Sequence, residues 1–395
     1  MSKKRRRPAP TSLAELADGV VNERDSLIKF STALQLCPQN ATKWMRFDRL
    51  REIVSSITPT PPQYPVSAGR LRHLLTNPPI ASEQVISNED PNEESFVSSV
   101  AFHGGNFRVV AGGAPEAHAG CQIVLSAIEH LPEACDSFKN AAQNDAFILL
   151  SLSEEMCRAA NLENWLPAPL TLDQDLFVPS DAVLQFLSNA ATFSAGRLSE
   201  VLGTLSHDIS AFVSSGPLEL HEHETESPTD DRVCLFPLME LSNGKLIVAS
   251  PGNVAASLTH RILLYATEYG YLEVFSEFLQ ESLLRATSRF LSRLRWKPIS
   301  RPISLDPSVR YREQFFRFDS DKIAHVVSIV DPLVDYLPGE PFGSFDASAI
   351  QTELDARFIE VNEAVRAKGT PNILHVIVSA RLVKWSPDLG QLLKM

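Results

Sequence analysis

No apolar run in this sequence approaches the ~18 residues that a membrane-spanning helix needs, so no partner in a bilayer is expected. The phosphate-binding signatures Gly-Lys-Ser/Thr and Gly-x-Gly-x-x-Gly are also missing. Gly112-Gly113, which stands ahead of a helical stretch, therefore reads as a turn rather than a phosphate cradle. Cysteine is sparse. Cys37, Cys121, Cys135, Cys157 and Cys234 are odd in number and widely spaced, with no Cys-x-x-Cys. That pattern excludes a disulfide framework and the usual spacing of a structural zinc site, and predicts reduced thiols in or near cores. No nucleophile-elbow sequence supports Ser-His-Asp catalysis, and no local signature points to a Cys-His pair.

Positive charge is scarce too. The 36 Lys and Arg against 48 Asp and Glu give a net charge of -12, and setting aside the five residues Lys3 to Arg7 leaves -12 - 5 = -17. Such a body repels nucleic acid except where basic residues cluster. The basic start leads into Ala9-Pro-Thr-Ser rather than an apolar signal core, so it reads as a solvated end and the chain as cytoplasmic.

What the sequence does contain is helix and strand patterning of a soluble globular protein, 395 residues long with 44% hydrophobic content. The clearest element runs from Tyr271 to Trp296. Leu272, Phe275, Leu279, Leu283, Ala286, Phe290 and Leu294 follow steps of three and four, which confines them to an arc of roughly 100°. Glu281 precedes Arg285 by one turn, the favourable order for a side-chain pair. Gly270 lies just before this helix, and Pro298 ends it.

Ahead of it, Leu13 to Phe30 and Ala41 to Ile57 are helical, and Ser67 is positioned as the N-cap of a short helix from Ala68 to Leu75. Phe96 to Phe102 and Phe107 to Ala111 form a hairpin around His103-Gly-Gly-Asn106. Helices are expected from Pro115 to His130, Phe138 to Ala160 and Ser180 to Val213. Ser214 to Asp231 is acidic without a Lys or Arg, and its His221-Glu-His223 reads as a solvated loop rather than a metal site. Val233 to Leu241 and Lys245 to Ala249 join through Ser242-Asn-Gly244, the strongest turn signal present, and Ser250-Pro251 opens a helix to Tyr269. Strands follow at Gln314 to Phe318 and Ile323 to Val330, then a helix from Ala347 to Ala367 stopped by Gly369. Ile373 to Ala380 is a continuous apolar strand, expected in the buried middle of a sheet. The end at Leu392-Leu-Lys-Met395 shows no terminal element and is compatible with the front part of a longer protein.

The expected class is α+β, or mixed: a helical N-terminal part, a middle of hairpin plus helices, and a C-terminal α/β domain with a small mixed sheet flanked by helices. The expected division is a basic tail at 1–10, a helical region at 11–79, a hairpin and helical domain at 80–213, an acidic linker at 214–232 and the α/β domain at 233–395.

The helix, strand, strand, helix, strand order of the last region resembles the core of restriction-endonuclease-like folds. That resemblance implies carboxylates on adjacent strands that bind Mg²⁺ or Mn²⁺, with a lysine beside them. Asp319, Asp321 and Lys322 supply those residue types at the strand junction, with Asp319 and Asp321 as metal ligands, and Glu281 could reach in from the helix. The sequence departs from the pattern, because neither His325-Val-Val-Ser-Ile-Val-Asp331 nor Ser379-Ala-Arg-Leu-Val-Lys384 contains acidic-x-Lys. Arg310, Arg312 and Arg317, interleaved with Tyr311, Phe315 and Phe316, form the basic window most suited to nucleic acid. A second resemblance rests on Ser67-Ala-Gly-Arg-Leu-Arg-His-Leu-Leu-Thr-Asn-Pro-Pro79, Asn88-Glu-Asp-Pro91 and His103-Gly-Gly-Asn-Phe107, which is similar to conserved hypothetical proteins of bacteria and implies no activity. The function expected is interaction or regulation with a protein partner, within a larger bacterial assembly and without a cofactor. The alternative is an active or degenerate metal-dependent nuclease.

Overall fold

The computed structural model describes residues 13–43, 50, 53–58, 64–67, 69–71, 96–110, 117–163, 177–214, 236–300, 311–319, 322–330, 347–367 and 372–380. The basic start, the His221-Glu-His223 loop, Asp321 and Arg310 lie outside them. The protein is mixed α+β, and its contacts divide the chain into two units: Met1–His118 with Asn144–Leu258, and Ala119–Gln143 with Thr259–Met395.

The first unit begins with α1 (Leu13–Val20) and α2 (Arg24–Gln35), whose Leu16, Val20, Leu27, Ile28 and Leu34 are fully buried. The strands β1 (Val97–Phe102) and β2 (Gly105–Val110) pair antiparallel through His103-Gly104, both at positive φ. A two-residue turn of that kind matches the twist of the strands, and Gly104 takes the left-handed conformation at no steric cost. A second sheet has the order β3 (Thr192–Phe193), β5 (Leu246–Val248), β4 (Leu238–Glu240). The Asn243-Gly244 turn joins β4 and β5, as its sequence predicts. The strand β3 has no such signal, because it interrupts the helical stretch between α5 (Asp181–Ala190) and α6 (Ala195–Leu202) for only two residues.

Buried polar groups tie this sheet to α2. Arg24 donates to the Val54 carbonyl at 3.2 Å and the Glu240 carbonyl at 3.0 Å, and Asp25 accepts from the Ser242 amide at 2.9 Å. Ser67 accepts from the Arg70 amide at 3.2 Å, the N-cap bond its sequence predicts.

In the second unit, α7 (Val254–Glu268) ends in a Schellman motif with Gly270 at φ 72°: the Tyr271 amide reaches the Ala266 carbonyl at 2.8 Å, and the Gly270 amide the Thr267 carbonyl at 3.1 Å. Gly270 thus closes the preceding helix. The organising helix is α8 (Leu272–Arg293), which ends in the same motif with Arg295 in the left-handed position at φ 66°. Near its start, Phe275 meets Phe138 edge-on at 5.3 Å; Phe138 belongs to α4 (Asp136–Ala159), which follows α3 (Ala117–Glu129). Its last turn departs from expectation: Phe290 and Leu294 are 59% and 53% exposed, while Leu291 faces the sheet. A step of three and four fixes which residues share a stripe, and here the stripe outruns the surface that covers it.

The sheet of this unit has the order β6 (Lys297–Ile299), β7 (Arg312–Arg317), β8 (Lys322–Val330), β9 (Asn372–Ala380). The first two pairs are antiparallel, and β9 returns parallel to β8 after α9 (Ala347–Ala367). Leu291 of α8 packs with Phe316, Ala324 and Val326 on one face; Leu354, Val361 and Val365 of α9 pack with Phe315, Ile323, Val327 and Ile329 on the other. The buried middle strand is β8, buried from Ile323 to Val330. The strand β9 is instead at the edge, with residues 373–379 half-buried or exposed, which corrects the expectation for it. Apolar residues on both sides of a strand report that both faces are covered and carry no information about its hydrogen-bonding edge.

Candidate functional site

Strand alternation divides the sheet's side chains between two faces. Arg312, Gln314 and Phe316 of β7, with Ala324, Val326 and Ser328 of β8, point toward α8. These six positions hold no carboxylate, and Lys322, the first residue of β8, continues the same series at the end of the strand. Arg312 donates to Gln280 at 3.2 Å and lies 3.9 Å from Glu277, and Ser288 Oγ is 2.6 Å from Gln314 Oε1.

The residues expected to carry metal chemistry lie elsewhere. Asp319 follows β7 and Lys322 begins β8, paired at 3.2 Å with both side chains about half exposed. Glu281 is bound to Arg285 at 3.0 Å on α8. Its neighbour Gln280 meets Arg312 at the start of β7, whereas Asp319 lies beyond the far end of that strand, roughly 20 Å away at the rise of an extended chain. The fold therefore does not bring Glu281 to the Asp319–Lys322 pair. Among the described residues, no group of three His, Cys, Asp or Glu side chains could hold a metal. The basic window is split as well: Arg312 faces α8, Arg317 is exposed at the strand end, and Phe315 and Phe316 are both fully buried, one on each face.

The α9 face carries a constellation that no local sequence motif announces. Glu313 Oε1 accepts from Arg357 Nη2 at 2.5 Å, and its Oε2 accepts from Arg357 Nε at 3.1 Å and faces His325 Nε2 at 2.9 Å. His325 Nδ1 in turn faces His375 Nδ1 at 3.0 Å, and His375 stacks on Phe358 at 4.3 Å. Glu313, His325 and Arg357 side chains are 2%, 0% and 8% exposed. Burial opposes the charge of Glu313, but the hydrogen bonds and charges of His325 and Arg357 outweigh it and hold the carboxyl at about 2. The bond to Glu313 raises the Arg357 guanidinium further above its usual range. Burial, then the charge of His325, pull His375 down to about 4.

An ionised Glu313 only accepts, so His325 donates from Nε2. His375 Nε2 is buried and has no hydrogen-bond partner among the described residues. The cluster braces three strands and a helix, and its contact between imidazoles accommodates one proton. A sequence signal for it exists: Ile323-Ala-His325-Val-Val and Ile373-Leu-His375-Val-Ile repeat one pattern, and the parallel register sets the two histidines side by side.

Elsewhere, in the first unit, a cleft of about 440 Å³ is lined by Phe107, Ser151, Glu154, Glu155, Arg158 and Arg197 among others. Two of its three acids are paired, Glu154 with Arg108 at 2.5 Å and Glu155 with Arg197 at 2.9 Å, and the third is Glu200. Burial pushes the thiols of Cys37, Cys121 and Cys157 up to about 12, so they are poor nucleophiles.

The two units make a mixed α+β protein. A family model described as anti-phage protein Upx-like matches residues 15–293, and the chain belongs to that family. The match ends at the last residue of α8, and the four-stranded sheet lies beyond it. No curated protein and no solved structure matches the chain. Among the described residues, no helix is long and apolar enough to cross a membrane.

Proposed function

We propose that this protein serves anti-phage defence as an interaction or regulatory component of a larger assembly, engaging a protein partner rather than hydrolysing nucleic acid. The family match supports the defence role. The observation that carries the non-hydrolytic part is the α8-facing surface of the sheet, where Arg312, Gln314, Phe316, Ala324, Val326 and Ser328 provide no carboxylate, and Lys322, which opens the same series on β8, is paired with Asp319 at 3.2 Å. The test is phage plating on cells that carry the full chain, the empty vector, or an Asp319→Ala, Asp321→Ala, Lys322→Ala triple variant. Protection retained by the triple variant supports the reading, and protection lost with the protein still present at normal levels overturns it.

A second reading, a metal-dependent nuclease or its degenerate descendant, is favoured by one observation. The order α8, three antiparallel strands, α9 and a parallel fourth strand resembles that of the restriction-endonuclease-like core. In that reading Asp319 and Asp321 hold Mg²⁺ or Mn²⁺, Lys322 assists without Glu281, and Arg310, Arg312 and Arg317 meet the phosphates. Titration calorimetry with Mn²⁺ tests it: one site that disappears in Asp319→Ala supports it, and no binding by the intact protein removes it.

A further inference from the structure

The two edges of the four-stranded sheet differ. At one edge, β6 is three residues long and contains Lys297 and Pro298. Shortness, a charge and a proline are the devices that stop an edge from recruiting another strand. At the other edge, β9 runs nine residues with no charged residue, no proline and no glycine, and among the described residues β8 is the only strand paired with it. Leu374 is 45% exposed there, and Ile359 of α9, next to the Phe358 that stacks on His375, is 60% exposed.

We propose that β9 is a self-docking edge, on which a second copy of this chain adds its own β9 antiparallel across a two-fold axis at Val376. That register sets Val376 against itself, His375 against Ile377, Leu374 against Val378 and Ile373 against Ser379. On the α8 side of the sheet Val376 meets Val376 and Leu374 meets Val378, on the other side His375 and Ser379 each meet an isoleucine, and no acidic or basic pair of like sign is opposed. This matters for a chain of net charge -12, whose surfaces otherwise repel a copy of themselves. The pairing is isologous, so it closes at two copies and joins two four-stranded sheets into one of eight. It also satisfies the outward N–H and C=O groups of β9, the chemistry by which strands add to exposed sheet edges. The inference is independent of whether the protein acts as a binding component or as a nuclease.

Two measurements on the full chain test it. Light scattering at roughly 100 µM, a concentration that reveals micromolar self-association, is expected to give twice the mass of one chain, with Leu374→Lys weakening the dimer at least about tenfold. Because strands paired across the axis place the two Val376 Cα atoms within disulfide range, Val376→Cys is expected to form a covalent dimer on mild oxidation. A monomer at that concentration with no cross-link overturns the proposal. A dimer indifferent to Leu374→Lys and not cross-linked through Val376→Cys overturns it equally, because the contact then uses another surface.

Discussion

Replacing Glu313 with glutamine removes one charge from the most buried cluster of the sheet and changes little in shape. The carboxylate serves Arg357 through two hydrogen bonds and His325 through a third, and its side chain is 2% exposed. An amide leaves the guanidinium, 8% exposed, with the half-exposed Glu360 carboxylate at 3.0 Å as its remaining counter-charge, and turns one acceptor into an N–H that faces other donors. Breaking a buried ion pair from one side costs about 3–5 kcal/mol. The depressed carboxyl expresses the same contacts on a similar scale: a drop from 4.5 to about 2, at 1.36 kcal/mol per unit, is about 3 kcal/mol. The assay is hydrogen exchange of the β7 and β8 amides at pH 7, where that difference speeds sheet opening by roughly two to three orders of magnitude. A Glu313→Met, Arg357→Met double variant is expected to recover much of the loss, since it leaves no orphaned charge. A change below about 1 kcal/mol in Glu313→Gln would show that the cluster is solvated and refute the reasoning.

Other consequences follow from the same geometry. His375 has its pKa lowered to about 4 from an ordinary 6.5, so the folded state binds fewer protons than the unfolded one between those values. Stability from this group is therefore present above pH 6.5 and lost as pH falls toward 4. The ring is only partly buried, so a loss of about 1–2 kcal/mol is expected, visible in urea titrations at pH 7 and pH 4.5 and flattened in His375→Gln. Arg295 holds a left-handed position that favours glycine, so Arg295→Gly is expected to raise the melting temperature of the second unit, a gain of about 1 kcal/mol. Asp319→Ala should cost less than about 1 kcal/mol in the same measurement, because its pair with Lys322 is half exposed.

The elements that were legible in the sequence are those fixed by local chemistry. Asn243-Gly244 and His103-Gly104 form their turns, Ser67 its cap, and Glu281 reaches Arg285, since each depends on neighbours a few residues apart. Alternation and helical spacing also placed β7, β8, α8 and α9 to within a few residues. What hydropathy could not convey was long-range pairing. The edge position of β9 depends on which strand neighbours which, and the Glu313–His325–His375–Arg357 cluster assembles from two strands, an edge and a helix up to 62 residues apart by number (375 - 313). Metal and nuclease motifs are local, and in Asp319-Ser-Asp-Lys322 acids and a lysine stand together. Polar residues isolated inside apolar strands make no such motif, although a histidine has to be hydrogen-bonded to be buried at all. The Ser67-to-Phe107 motifs that resemble bacterial hypothetical proteins fall inside the 15–293 family match.

The measurement that bears most directly on the proposed role is cleavage of plasmid DNA and of a structured RNA by the purified protein with Mg²⁺ or Mn²⁺, beside Asp319→Ala and Asp321→Ala variants. A defence protein that works by binding leaves both substrates intact with either metal. Metal-dependent cleavage that disappears in the two variants would contradict that account and place the chemistry at the β7–β8 turn.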